Sequence, residues 1–394
     1  MVLNGADVSG VAGRAIAHVR LSNFNRLAQA TAVLTLFPWA GADPTSRQFP
    51  IEPGRTEVLR LETFSSISPG RYAATIGGEG SVGLLTRTEW PDAGSAVTDG
   101  GARSGTELAA PLVFKRFEDR CSTVVVHNGN PDAQTQVTIA LYPPPPGSSV
   151  PLMQETFTIE RGGSVDVAFC EDRAFEALPD SYRGPMIVRS DRDPISAEVL
   201  TAYSGGPGVA AYGAVPVAFG ATDVLMPLIH SQWSYTPDTS QGTAYESIIA
   251  VQNVSESPIT VQPVYTGTKG MCAGWVMSEV ERPVPPLGLT IITPGSFYPS
   301  GLLPGNCAAS AAVHSIGGGI VAVVLDEKWR SQYAPPTATP TSLPTHTSNP
   351  TSTPTETGTP AGPVTPTATG TAIASPTPAP AARLFAPFAS AGRL

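Results

Sequence analysis

Apolar and polar residues alternate with a period of two along most of the chain ahead of Ala334. That period puts successive side chains on opposite faces of an extended backbone, so it predicts half-buried β-strands rather than helices. Three segments run through the same series of signals. Each opens on an alternating stretch that ends in Asn: Ile16-Ala-His-Val-Arg-Leu-Ser-Asn23, Ser122-Thr-Val-Val-Val-His-Asn128 and Ser247-Ile-Ile-Ala-Val-Gln-Asn253. A polar turn follows, then a strand that ends in an aromatic residue, at Phe37, Tyr142 or Tyr265. After a loop rich in Pro and Gly comes a hairpin-like stretch leading to Thr56-Glu-Val-Leu-Arg-Leu61, Ser164-Val-Asp-Val-Ala-Phe169 or Leu289-Thr-Ile-Ile292. Two closing strands complete each unit. They are clearest in the second, as Pro185-Met-Ile-Val-Arg-Ser190, a turn at Asp191-Arg-Asp-Pro194, and Ile195-Ser-Ala-Glu-Val-Leu200.

Units two and three carry one further strand at their start, Leu108-Ala-Ala-Pro-Leu-Val-Phe114 and Leu225-Met-Pro-Leu-Ile229. Unit one shows no counterpart ahead of Arg14 and is expected to lack its first strand. About seven short strands per unit, with turn signals every 8–12 residues or so, predict an all-β chain of three tandem antiparallel immunoglobulin-like β-sandwich domains. The expected boundaries are 1–107, 108–222 and 223–333, with a Thr/Pro-rich stalk at 334–382 and an apolar tail at 383–394. A turn or two between Asp172 and Leu178 is the one helical expectation, with Glu171 and Asp172 as capping residues.

The stalk changes the picture from domains to display. Thr-Pro pairs recur, as in Thr351-Ser-Thr-Pro354, and charge and large apolar side chains almost vanish. Such a segment cannot bury enough surface to fold, and its prolines favour extended polyproline II of the kind found in O-glycosylated stalks. At about 3.1 Å per residue it would reach on the order of 150 Å. The tail then turns apolar again. Leu384, Phe385, Ala386, Pro387, Phe388 and Ala389 repeat the apolar-Pro-apolar shape of the first strands of units two and three. These six residues are therefore an expected assembly strand. It would complete unit one in a neighbouring molecule, giving a head-to-tail homopolymer, or in its own chain. The competing reading is a sorting tail for an export machinery.

These elements resemble the tandem β-domain repeats of secreted proteins of filamentous, surface-living bacteria. The residues that carry the resemblance are Met226-Pro-Leu-Ile229, Val251-Gln-Asn253, Val264-Tyr265 and Pro194-Ile-Ser-Ala197, together with the Thr/Pro segment and the apolar-Pro-apolar end. The resemblance implies an extracellular or cell-surface location and a structural or matrix role. It implies no catalytic residue.

Charge and cysteine content narrow the partners. Among 394 residues charged ones make up 14 %, and the net charge is −9, which excludes the basic footprint of a nucleic-acid binder. No apolar run approaches the roughly 20 residues of a membrane span. The N-terminus shows no leader, so export implies that a leader was removed, lies upstream, or was cut away with the rest of a longer chain. Cys121 and Cys170 fall at neighbouring ends of the second and fifth strands of unit two, and Cys272 and Cys307 at one pole of unit three. That placement favours one bridge within each unit, each contributing about 2–4 kcal/mol. The other reading is four free thiols in a cytosolic protein.

Motifs for chemistry are weak. His18, His127, His230, His314 and His346 are scattered. Gly78-Glu-Gly-Ser-Val-Gly83 has glycines at dinucleotide-loop spacing but no helix behind it, and reads as a hairpin turn. Asp191 and Asp193 supply too few oxygens for calcium and read as a turn. Asn253-Val-Ser255 matches an N-glycosylation sequon. Trp39, Trp233, Tyr235 and Trp275 are candidates for stacking on sugar rings, set against the plainer role of plugging sandwich ends and domain junctions. The expectation is a non-enzymatic extracellular structural or adhesive surface protein. It has no cofactor or metal, and its partners are itself, other cell-surface or matrix components, or a polysaccharide. The alternative is a carbohydrate-binding module array.

Overall fold

The structure is a computed structural model. It describes residues 2–4, 15–39, 43–80, 82–90, 95–99, 102–145, 147, 149–203, 209–233, 244–295, 301–329, 384–385 and 388–391. The stalk at 334–382, Tyr235, Ala386 and Pro387 lie outside the described residues.

The chain is all-β, and its strands form antiparallel sandwiches. Unit one contains Val2–Asn4 (β1), Ile16–Asn23 (β2), Ala30–Pro38 (β3), Thr45–Ile51 (β4), Thr56–Arg60 (β5), Gly70–Glu79 (β6), Val82–Trp90 (β7) and Ser95–Asp99 (β8). Its sheets run β1-β6-β3-β4 and β5-β2-β7-β8. Unit two contains Glu107–Phe117 (β9), Arg120–Asn128 (β10), Thr135–Leu141 (β11), Met153–Ile159 (β12), Ser164–Ala168 (β13), Tyr182–Ser190 (β14), Ile195–Tyr203 (β15), Val209–Gly213 (β16) and Val215–Pro216 (β17). The order is β12-β11-β14-β9 and β13-β10-β15-β16, with β17 on β9 and the two halves joined where β9 meets β10.

Unit three contains Asp223–Ser231 (β18), Ala244–Asn253 (β19), Ile259–Gly270 (β20), Val276–Ser278 (β21), Arg282–Val284 (β22), Leu289–Ile292 (β23), Cys307–Ile316 (β24) and Ile320–Trp329 (β25). Leu384–Phe385 (β26) and Phe388–Ala391 (β27) join its edges. Its sheets run β21-β20-β24-β18-β26, with β22 also on β20, and β23-β19-β25-β27.

One plan therefore recurs three times: first-sixth-third-fourth in one sheet, fifth-second-seventh-eighth in the other. Neighbours two–five and three–six are those of an immunoglobulin sandwich. The first and seventh strands have exchanged sheets relative to it, so the sixth and seventh strands of each unit face one another across the core instead of pairing as a hairpin.

Three expectations change at this level. Each unit holds eight strand positions rather than about seven, because a further strand pairs with the outer edge of the seventh. Unit one does not lack its first strand: Val2, Leu3 and Asn4 pair antiparallel with Tyr72, Arg71 and Gly70. Within its own chain the tail does not complete unit one. That unit's edges are already occupied by β1 and β8, and the tail instead pairs in parallel with β18 and β25 of unit three in its own chain.

The alternation appears directly in burial. Ala17, Val19 and Leu21 on β2 and Ala32, Leu34 and Leu36 on β3 all point into one core, with the residues between them turned outward. Unit two departs from this pattern. Residues 108–115 of β9 are buried on both faces, because one face of the unit packs on unit three. Ala109, Ala140, Tyr142 and Ile187 meet Val254 and Val321 there, while Ala250, Leu289, Val323 and Leu325 join the main core of unit two. Units two and three thus share buried apolar surface. Unit one touches unit two through a smaller junction, where Arg71 Nη1 lies 2.7 Å from Asp166 Oδ2 and the Phe37 ring lies 5.0 Å from that of His127.

The expected helical turn is a 3-10 turn at Arg173–Phe175, capped by Asp172, whose Oδ1 accepts from Ala174 N at 2.9 Å. Gly78, near the end of β6, and Gly80, just beyond it, have φ of +153° and +94°. A Cβ at Gly78 would sit 1.9 Å from the Thr31 carbonyl oxygen, so the glycine spacing serves strand packing there.

Candidate functional site

An exposed apolar cluster on a braced loop lies at one pole of unit three. Cys272 and Cys307 are bridged with their Cα atoms 5.4 Å apart, which pins the end of β20 to the start of β24. Short backbone bonds tighten the loop. Gly267 N donates to Trp275 O at 2.8 Å, Gly274 N to Gly267 O at 3.0 Å, and Met271 N to Asn306 O at 3.0 Å. Gly270 has φ of +74°, and a Cβ on it would strike both the Asn306 carbonyl oxygen at 1.9 Å and the Trp233 ring at 2.9 Å. The site therefore requires glycine, and the Trp233 indole lies over its backbone. This braced loop presents Met271 at 64 %, Trp275 at 48 % and Val276 at 69 % exposure.

The stacking candidates separate accordingly. Trp233 and Trp275 belong to this one pole. Trp39 lies at the end of β3, where its backbone N–H donates to Arg71 O at 3.0 Å, beside the junction of units one and two. Trp90 is fully buried in unit one.

The other bridge joins Cys121 to Cys170 with Cα atoms 5.9 Å apart and closes the start of β10 onto the chain just beyond β13. Among the described residues no cysteine is free.

The strongest polar feature shared by the units is one that the repeats hinted at without explaining. Asn128 Nδ2 donates to the carbonyl oxygens of Ala133, Ile159 and Glu160 at 2.8, 3.4 and 3.2 Å, and its Oδ1 accepts from Asn130 N at 3.0 Å. Asn23 does the same with Ala28, Ile51, Glu52 and Asn25 N. Asn253 repeats it with Ser257, Val284, Pro285 and Ser255 N. Each asparagine is buried and knots the turn after the second strand to the turn before the fifth. Asn253, at zero exposure with its amide committed, serves this knot and is closed to glycosylation in the folded chain.

Several buried titratable groups were not legible as clusters. His230 Nδ1 lies 2.7 Å from Asp326 Oδ2, both side chains are buried, and the Ser247 hydroxyl donates to the same carboxylate. The three residue types are those of a hydrolytic triad, but the order is wrong. A nucleophilic serine must hand its proton to the imidazole, whereas Ser247 spends its hydrogen on Asp326 and accepts from the His230 backbone N–H at 2.8 Å. The cluster fastens β18, β19 and β25 together. Tyr265 donates to Glu279, which also pairs with Arg282, and burial raises the Tyr265 hydroxyl pKa. Lys115 is buried and caps the 3-10 turn of unit two, donating to the carbonyls of Phe175 and Glu176 at 3.0 and 3.1 Å. Tyr212 on β16 both donates to Leu112 O at 2.7 Å and accepts from Leu112 N at 3.0 Å, which satisfies the backbone beside Pro111, and burial pushes its pKa up.

A cleft of about 630 Å³ separates units one and two, lined on one side by Val19, Leu34 and Ile76 and on the other by His127, Asp193 and Glu198. His127 Nδ1 lies 3.0 Å from Gly163 O and 3.1 Å from Ser164 Oγ. Burial lowers its pKa to about 4, so the ring is neutral at ordinary pH. Its Nε2 and Asp193 Oδ2 are shielded from solvent and make no hydrogen bond among the described residues. Asp191 fastens its turn by accepting from Thr135 Oγ1 at 2.8 Å and Gln136 N at 3.0 Å, bonds that hold its carboxyl below the usual range. Asp193 accepts from Asn130 Nδ2 at 3.0 Å. Among the described residues no group of three His, Cys, Asp or Glu side chains is placed to hold a metal ion, and no helix is long and apolar enough to cross a membrane.

Compared with protein-family models, with curated proteins and with solved structures, the chain matches none.

Proposed function

We propose that this chain is a non-enzymatic extracellular structural or adhesive protein of a cell surface, and that it makes contact through the braced pole of unit three. The observation that carries the reading is the exposure of Met271, Trp275 and Val276 on a loop fixed by Cys272–Cys307. A flexible loop would fold such side chains away from water, whereas a bridged loop holds them out, and exposed apolar patches of this kind mark contact sites. The two disulfides fit an oxidising compartment. The Thr/Pro composition of 334–382 fits a stalk, and the resemblance to tandem β-domain repeats of surface proteins fits the same setting.

The test is retention of the full chain on cell-wall material, insoluble polysaccharides and an abiotic apolar surface. Met271→Ser with Trp275→Ser is expected to lower retention about tenfold, the loss of one small apolar anchor. Equal retention of wild type and variant on every surface would remove the pole from the proposal. The exposed Trp275 indole also favours a narrower version, a glycan-stacking site. Indole fluorescence titrated with soluble polysaccharides separates the two. A saturable shift that Trp275→Ser abolishes selects glycan binding. Retention without any shift selects general apolar adhesion.

A further inference from the structure

The seventh strand of every unit has a neighbour on its outer edge, and the units obtain it differently. In unit one β8 follows β7 after positions 91–94 and pairs antiparallel, Trp90 with Ser95 through Thr86 with Asp99. In unit two β16 follows β15 after positions 204–208 and also pairs antiparallel, Ala202 with Val209 through Glu198 with Gly213. The chain then steps across to the first strand, where Val215 and Pro216 pair with Ala109 and Leu108. In unit three, positions 330–383 lie between β25 and the strands that reach its edge and that of β18.

The tail takes up the same two edges in reverse. Leu384 and Phe385 pair with Val224 and Leu225 on the first strand, and residues Phe388, Ala389, Ser390 and Ala391 pair with Val324, Leu325, Asp326 and Glu327 on the seventh. Both pairings are parallel, so the occupant runs opposite to its counterpart in unit two. A slot filled antiparallel in one unit and parallel in another is recognised through the backbone groups of its rims, which is how strand addition works. The tail strand β27 also lies against β8 and β16, so the eighth strands of all three units meet around it.

We propose that the edges at 224–225 and 324–327 form a strand-acceptor site for segment 384–391. The chain's own tail fills it when the protein is dilute, and the tail of a second copy fills it when chains are crowded. Positions 330–383 can span up to about 180 Å, enough to reach a neighbouring molecule. A tether of this kind keeps its own tail at an effective concentration on the order of millimolar. At micromolar protein the own tail therefore wins by about a thousandfold. At the densities of a packed surface layer the two occupants become comparable, and short parallel ladders are weak enough to exchange. The site deepens the structural role proposed above by naming its partner, a second copy of this chain. It does not involve the exposed pole.

The experiment uses the full chain with paired substitutions at positions that face one another. Glu327→Cys with Ala391→Cys in one chain is expected to form an internal bridge at about 1 µM under mild oxidation, well below the millimolar tether concentration. A second pair, Val324→Cys with Phe388→Cys, guards against one variant misfolding, and Glu327→Cys with Leu384→Cys is the out-of-register control. Next, a chain with only Glu327→Cys is mixed with a chain carrying only Ala391→Cys. Bridged heterodimers are expected to rise at least tenfold between micromolar and millimolar protein, and to fall when a peptide of residues 383–394 is added. In-register bridging no faster than the control, for both pairs, would overturn the site. Internal bridging without heterodimers at millimolar protein would overturn the second copy as occupant. Either failure leaves retention through Met271 and Trp275 untouched, so the two readings fail separately.

Discussion

Asn128 Nδ2 donates to the Glu160 carbonyl oxygen across 3.2 Å, joining two turns that are 32 positions apart in the chain. The asparagine is fully buried, and it also serves the carbonyls of Ala133 and Ile159. Asn128→Ala leaves those acceptors without their donor, the Ile159 carbonyl in buried surroundings. The expected loss is about 2–3 kcal/mol of stability, read as a lower urea midpoint. Asn128→Asp is nearly isosteric but turns a carboxylate oxygen toward three carbonyl oxygens, so it should cost more than alanine. An alanine variant within 0.5 kcal/mol or so of wild type, or an aspartate variant as stable as wild type, would show that the knot does not hold the turns.

His127 sets a pH dependence. Burial under Phe37 lowers its pKa to about 4 in the folded chain, against about 6.5 when unfolded. Between these values the unfolded chain binds the extra proton, so stability falls as pH falls. The contribution is complete above pH 6.5 or so and is lost progressively toward pH 4, to a total of about 3 kcal/mol. Asp193 and Glu198 line the same cleft, and Asp166 pairs with Arg71 beside it. The difference between wild type and His127→Asn over pH 5–6.5 isolates the imidazole. An NMR titration of the His127 ring with a midpoint near 6.5 in the folded protein would defeat the prediction.

Local pattern made the strands legible, and long-range pairing stayed hidden. The alternation at Ala17, Val19 and Leu21 identifies both a strand and its inward face, because each side chain needs only its own position to show its direction. The terminal asparagines marked the repeat, but their role depends on carbonyls such as that of Glu160 that no local window contains. Burial on both faces of β9 blurred its alternation. Ala109 looks outward from its own sandwich and meets Val321 of the next one. His230 and Asp326 are 96 positions apart, and nothing in the spacing announces their 2.7 Å contact. The tail showed a strand-like shape, yet which edge it would join depended on which edges the remaining strands left open. Val2–Asn4 closed the edge of unit one from a stretch too rich in glycine to read as a strand.

The two disulfides differ in shelter, and that difference predicts the order of their reduction. Cys272 and Cys307 have zero exposure and lie under the loop that carries Trp275, whereas Cys121 and Cys170 are only half-buried at the rim of unit two. A thiolate must reach a sulfur in line, so exposure controls the rate while the fold is intact. Mild reductant at neutral pH should open Cys121–Cys170 first, as read by differential alkylation and mass spectrometry. Cys272–Cys307 should yield only when unit three opens. The bridges span sequence separations of 49 and 35 residues, and loop-closure entropy gives each about 4 kcal/mol. Opening the second should therefore lower the melting temperature of unit three and change Trp275 fluorescence together, since one bridge braces both. Reduction of Cys272–Cys307 ahead of Cys121–Cys170, with the melting temperature unchanged, would mean that the loop does not depend on its bridge. The exposed pole would then lose the rigidity on which its contact role is argued.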